Sequence, residues 1–308
     1  MNNNLFKTQS SAIRNDLPQV INQQTLWPDQ SQEASLSSVP SEIPSTDGPV
    51  WHAPSQASLT HQPCLSKALQ DVLLPEALLA AKLSLNCDSL EQLQAQLVAH
   101  LSQNSHETRV RYSQSVLRWF FADGISGLAS RVWAAYQDES IEKDILRYLY
   151  LVAEPLMGGC VADALYPLEE SMLIPPNYFD QYLRERLGGE PSPKTRGRLK
   201  TNLMRLGFLT RARGKPDRLT PIVPTKTAFL IVFHHLFATN GQRTIEIRRL
   251  FANPFWKYLG FKSEDGVRAV LREADVAGLL GKYIAADQLE QVTTCLTLDE
   301  ILTRKIRL

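Results

Sequence analysis

The chain has 308 residues, enough for two compact domains at roughly 100–200 residues each. Apolar residues make up 44% and charged residues 21%, the balance of an ordinary soluble protein, and the net charge is only +1. The four cysteines (Cys64, Cys87, Cys160, Cys295) lie far apart without a C-x-x-C, which argues against a zinc module or disulfide framework and predicts reduced thiols in a cytoplasmic protein.

The opening MNNNLFKTQSS lacks a basic stretch followed by an apolar core, so no signal peptide is expected. Residues 1–66 hold seven of the 18 prolines and eleven serines, with apolar residues scattered singly. Such a segment cannot bury enough surface to offset its ordering entropy, and a disordered tail is predicted. Trp27-Pro28 and Val50-Trp51 are its only candidate anchors for a partner.

Residues 67–176 predict an all-α domain. Leu90, Leu93, Leu97 and Leu101 fall at helical spacing, as do Val110, Leu117 and Phe121, whose face Trp119 and Phe120 widen, then Ile141, Ile145, Leu149 and Val152. Turn signals at Asn104-Ser105, Asp123-Gly124, Gly158-Gly159 and Pro175-Pro176 separate the runs. Eight bases stand against fourteen acids here, which argues against this domain as the main nucleic-acid surface.

Residues 177–238 differ. NYFDQYLRERL predicts a short amphipathic helix, and GGEPSP a turn. Ser192 then caps a helix with Pro193 at its first position and Gly207 past its end. Runs FLTRARG and RLTPIVP predict a hairpin around Gly214-Lys215-Pro216-Asp217. Residues 192–221 carry nine Lys or Arg against one acid, Asp217, so this segment is +8 and the remainder −7. On a helical wheel Leu199, Leu203 and Leu206 form a buried stripe. The opposite face presents Lys194, Gly197, Arg198, Lys200, Thr201, Met204 and Arg205, flanked by Thr195, Arg196 and Asn202. Arg211 and Arg213 share one face of the hairpin, and Lys215 and Arg218 flank its turn. Helix, turn, helix and basic hairpin in this order predict a winged helix-turn-helix. Its second helix would enter a major groove, with the hairpin on the adjacent backbone.

Residues 239–308 predict a second winged-helix-like module. TIEIRRLFANPFWKYLG predicts one helix and SEDGVRAVLREADVAGLL another, capped by Ser263 and ended at Gly278, 71 residues after Gly207. GKYIAADQLEQVTTCLT predicts a hairpin. Arg268 and Arg272 stand against Glu264, Asp265, Glu273 and Asp275, so this copy lacks the basic pattern and is expected to serve protein contact or a weaker DNA role. Between the copies, TKTAFLIVFHHLFATNG predicts an apolar helix packing the two together, with His234 and His235 structural. Its apolar run AFLIVF is far short of the roughly 20 residues of a membrane span.

Phosphate-binding glycine loops, H-E-x-x-H and G-x-S-x-G are all missing from the sequence, so a non-enzymatic protein without cofactor or metal is expected.

Three stretches resemble a known family. They are LLPEALLAAKLSLNCDSLEQLQAQLVAHLSQNSHETRVRYSQSVLRWF, then PPNYFDQYLRERL with a basic helix ending LMRLGFL, then RLTPIVPTKTAFL. Over about residues 70–237 the chain resembles the BrxA family of accessory proteins of bacterial BREX phage-defence systems. The resemblance implies a NusB-like helical domain joined to a winged helix, and binding of duplex DNA. The long tail and the second winged-helix-like copy depart from that family. The expectation is therefore a mainly α, cytoplasmic, double-stranded-DNA-binding protein, working with other protein subunits of a defence complex and without a membrane. Its contacts would come from Lys194, Thr195, Arg196, Arg198, Lys200, Thr201, Arg205, Arg211, Arg213, Lys215 and Arg218. A transcriptional regulator, or a scaffold docking an acidic partner, are the alternatives.

Overall fold

The computed structural model describes residues 69–211, 213–238, 242–286 and 289–308. The tail expected at 1–66 lies outside them. Among the described residues the chain is mainly helical, with thirteen α-helices, one π-helical segment and six short strands in two sheets.

Five helices come first: α1 (Leu74–Ser84), α2 (Leu90–His100), α3 (His106–Phe120), α4 (Leu128–Tyr136) and α5 (Glu139–Ala153). Local chemistry starts two of them. Ser89 Oγ accepts from Gln92 N at α2, and the Asp138 carboxylate accepts from Ser140 N and Ile141 N at α5. The leucine spacing in α2 holds, with Leu93 and Leu97 fully buried. At α3, Trp119, Phe120 and Phe121 bury as expected and Val116 joins them, while Val110 and Leu117 of the expected line are half-buried. Val152, expected on the apolar line of α5, is exposed.

Gly158-Gly159 is not a break between helices. α6 (Pro155–Gly159) runs directly into the π-helical segment Cys160–Leu165. A Cβ at 158 would strike the Leu151 carbonyl oxygen, and one at 159 would lie 2.6 Å from Tyr182 Oη. These glycines serve close packing, and Tyr182 Oη uses the approach to donate to Leu156 O at 2.7 Å.

A strand then appears inside the stretch expected to be all-α. β1 (Leu173–Ile174) is followed by α7 (Tyr178–Leu187), α8 (Pro193–Arg205), β2 (Leu209–Thr210) and β3 (Asp217–Leu219). The sheet order is β1-β3-β2, with Leu173 opposite Arg218 and Leu209 opposite Leu219. Two residues are too few to show an alternating pattern, so β1 was invisible in the sequence.

The plan recurs. α9 (Lys226–Phe237) leads to β4 (Thr244–Glu246), α10 (Ile247–Ala252), α11 (Phe255–Leu259), α12 (Glu264–Val276), β5 (Lys282–Ala286), β6 (Leu289–Thr293) and α13 (Leu298–Thr303). The second sheet has order β4-β6-β5, so again the last strand lies in the middle. The single helix expected around residues 244–260 is a strand and two short helices. Pro254 disfavours helix at Asn253 and lacks an N–H, and Asn253 Oδ1 accepts from Phe255 N to start α11.

Two apolar clusters form the core. One joins α1, α2 and α3 to α7, α8 and the first sheet, the other joins α9 to α13, and α4 gives Ala129 and Trp133 to the first and Leu128, Val132 and Tyr136 to the second. α5 serves both: Leu146, Tyr150 and Leu151 enter the first, Ile141, Ile145 and Tyr148 the second. The clusters cross the boundaries expected at 176 and 238, and all described residues belong to one compact unit, His61–Leu308. α9 packs on α5, α11 and α13, so it ties the second repeat to the helical bundle instead of to the first repeat.

One ion pair on α5 stands where these parts meet. Arg147 donates Nε to Leu206 O at 2.9 Å and Nη1 to Leu259 O at 3.1 Å and Asp144 Oδ1 at 2.7 Å. Asp144 Oδ2 accepts from Thr225 N at 2.8 Å and Thr225 Oγ1 at 2.9 Å. The pair thus holds the C-terminal carbonyls of α8 and α11 and the cap of α9 on a single helix. Among the described residues no single helix is long and apolar enough to cross a membrane.

Candidate nucleic-acid interface

α8 begins and ends as its sequence requires. Ser192 Oγ accepts from Thr195 N at 3.1 Å and lies 2.9 Å from Thr195 Oγ1. Gly207 takes φ 88°, letting Gly207 N reach Met204 O and Phe208 N reach Leu203 O. Leu199, Leu203 and Leu206 are buried as the wheel requires.

The rest of the helix is more engaged than the wheel implied. On one flank Arg196 donates to Glu190 at 3.1 Å and lies 3.2 Å from Asp180. Lys200 donates to Pro176 O at 2.6 Å and lies 3.9 Å from Asp217. Asp217 is buried and accepts two bonds from Arg211, Nε at 2.5 Å and Nη2 at 2.9 Å. These contacts, foremost the Arg211 bonds, hold the Asp217 carboxyl below its ordinary pKa. Three expected contact residues, Arg196, Lys200 and Arg211, therefore brace α8 and the hairpin to their neighbours.

The other flank meets a strap, residues 69–73, whose Leu69, Val72 and Leu73 are buried. Asn202, expected on the flank of the outer face, is fully buried. Its Oδ1 accepts from Val72 N at 2.9 Å, and its Nδ2 donates to Gln70 O at 2.7 Å and to Tyr150 Oη at 3.1 Å. Arg198 donates Nη1 to Leu69 O at 2.6 Å, and Arg205 donates Nη1 to Val72 O at 3.3 Å. Asp71 lies 3.8 Å from Arg198 and 3.9 Å from Arg205. An Asn that pairs with both an N–H and a C=O of an extended segment substitutes for a β-ladder partner, which satisfies the strap's buried backbone.

What faces solvent is narrower. Lys194 and Gly197 are exposed, Thr201 is half-buried and Arg205 is exposed, at three- to four-residue spacing along one line. Nothing stands within 4 Å of a Cβ built on Gly197. Arg213, Lys215 and Arg218 are exposed on the hairpin, Arg218 projecting from the strand face opposite Asp217 and Leu219. With Lys194 they make no ion pair among the described residues. Of the eleven expected residues, these four are the exposed cations without an acidic partner.

No protein-family model, no curated protein and no solved structure matches the chain. The chain does resemble itself. Shifted by 71 residues, Ser192 meets Ser263, Leu203 meets Ala274 and Gly207 meets Gly278. Ser263 Oγ accepts from Gly266 N, and Gly278 at φ 70° repeats the two closing bonds, to Asp275 O and from Leu279 N to Ala274 O. The surface is not repeated. Arg268 is held by Glu264, Asp265 and Glu290 and lies 4.7 Å over the Phe251 ring. Arg272 stacks 5.8 Å over Tyr283.

His234 is buried, with Nδ1 2.8 Å from Leu230 O, and burial pushes its pKa down. Among the described residues no group of three or more His, Cys, Asp or Glu could hold a metal. Cys160 is fully buried and its thiol is pushed up by burial.

Proposed function

We propose that this chain binds double-stranded DNA without catalysing a reaction, as an accessory protein of a bacterial defence system. The carrying observation is an order that occurs twice, a strand, then helices, then two strands with the last strand central in the sheet, the single α7 of the first copy being matched by the two short helices α10 and α11 of the second. We read that order and sheet arrangement as a winged helix. In such a module the third helix, here α8, faces the groove and the hairpin faces the backbone. The exposed line Lys194, Gly197, Thr201 and Arg205 fits the first role, and Arg213, Lys215 and Arg218 the second. The five-helix unit is read as the NusB-like part of the resemblance to the BrxA family, and the protein as cytoplasmic. The second repeat, with Arg268 enclosed by acids, serves protein contact.

A second reading, a scaffold docking an acidic protein, is favoured by the internal pairing of Arg196, Lys200 and Arg211. Fluorescence anisotropy on a mixed-sequence duplex separates the two. The wild type binds with log affinity falling linearly in log salt, losing at least about tenfold between about 50 and 200 mM. Replacing Arg213, Lys215 and Arg218 by Glu removes that binding without lowering Tm. Wild-type protein that shows no salt-dependent binding to duplex at low salt overturns the DNA reading and leaves the scaffold.

A further inference from the structure

The strap 69–73 runs between two helices. Arg198 and Arg205 of α8 bond its carbonyls from one side. From the other side, α3 bonds the Gln70 side chain: Arg118 Nη2 donates to Oε1 at 3.4 Å and Ser115 Oγ at 3.1 Å. Three guanidinium groups from two helices thus meet on five residues of chain.

Arg118 is exposed and its guanidinium lies 5.2 Å over the Trp119 ring. Arg111, two turns earlier on α3, is exposed and lies 5.9 Å over Tyr112. Neither forms a close ion pair among the described residues, although the Arg118 charge acts on Glu154. Stacking on an aromatic ring restrains a long arm while leaving the N–H edge free for an oxyanion. The nearby acids are Asp71, which faces Arg198 and Arg205, Glu107 at the start of α3, and half-buried Glu154. Arginines seven residues apart are about 10 Å apart along a helix, close to the rise of about three nucleotides of one strand.

Resting on the DNA-binding reading, we propose that α3 continues the interface across the strap, with Arg111 and Arg118 contacting backbone phosphates of the same duplex. The bundle, though acidic in sum, supplies a second backbone contact at a distance from the hairpin.

The test compares three proteins in the same salt titration: wild type, the Arg213/Lys215/Arg218→Glu hairpin variant, and Arg111→Gln/Arg118→Gln. The proposal expects the last to lose at least about tenfold in affinity at low salt and to lower the salt slope by about 2, with Tm unchanged. Because Arg118 also bonds the strap, Arg111→Gln alone decides if the double variant melts early, and it lowers the slope by about 1. Wild-type affinity and slope in these α3 variants, with binding lost in the hairpin variant, overturn the α3 contact and leave the DNA reading intact. Absence of salt-dependent binding in the wild type overturns both.

Discussion

Glu142 on α5 is fully buried, and neither carboxylate oxygen has a hydrogen-bond partner. Burial penalises its charged form and raises its pKa well above the ordinary carboxylate range. A raised acid stabilises the fold fully below its unfolded pKa, and that stability is lost as pH rises toward the folded value. Glu142→Met, which has no proton to take up, should therefore raise Tm at pH 7.5 and have a smaller effect near pH 4. Differential scanning calorimetry at the two pH values checks this, and an equal effect at both contradicts it. His234 has the opposite dependence: its lowered pKa costs stability as pH falls below about 6.5. That His234 is structural could be read from two adjacent histidines in an apolar run. That Glu142 is buried could not, because Ser-Ile-Glu-Lys-Asp is an ordinary amphipathic helix start and the elements covering it come from elsewhere in the chain.

At the scale of elements, α8 was the most legible. Its Ser192 cap, leucine stripe and Gly207 stop are all local chemistry, set by residues within a few positions of one another. The hairpin was half legible. Its strands are shorter than expected, and Arg211 and Arg213 lie beyond β2 instead of sharing a strand face. Asp217, counted only as the one acid in a basic segment, is the buried brace that Arg211 grips. A depressed carboxyl contributes stability that is present above its unfolded pKa and lost as pH falls through the folded one. Asp217→Asn should therefore lower stability at pH 7 by about 1–2 kcal/mol and flatten the acid limb below about pH 4. Chemical denaturation across pH measures both, and unchanged stability at pH 7 would show that the brace is unimportant.

At the scale of the whole molecule, α5 is the shared wall of two cores, and Arg147–Asp144 fixes α8, α9 and α11 to it. Both side chains are nearly buried, at 12% and 8% exposure. Removing one partner of such a pair leaves an uncompensated charge, so Arg147→Met should cost about 3–5 kcal/mol in equilibrium unfolding. Arg147→Met/Asp144→Asn should recover part of that loss because no buried charge remains. A single-variant loss under about 1 kcal/mol would mean the junction does not hold the parts together.

The sequence by itself determined how α8 and α12 start and stop, where the charge concentrates and that a capped, glycine-ended helix recurs after 71 residues. Caps, glycine stops and 3.6-residue periodicity act within one element, so they are written in neighbouring letters. Tertiary structure decided which cations are free. Asp71, Asp180 and Glu190 lie outside the α8 segment, and Arg198 and Arg205 meet Asp71 only because the strap crosses the helix. The burial of Asn202, the placement of β1 and the double role of α5 depend on the same long-range packing, because each is set by backbone or side chains distant in the chain.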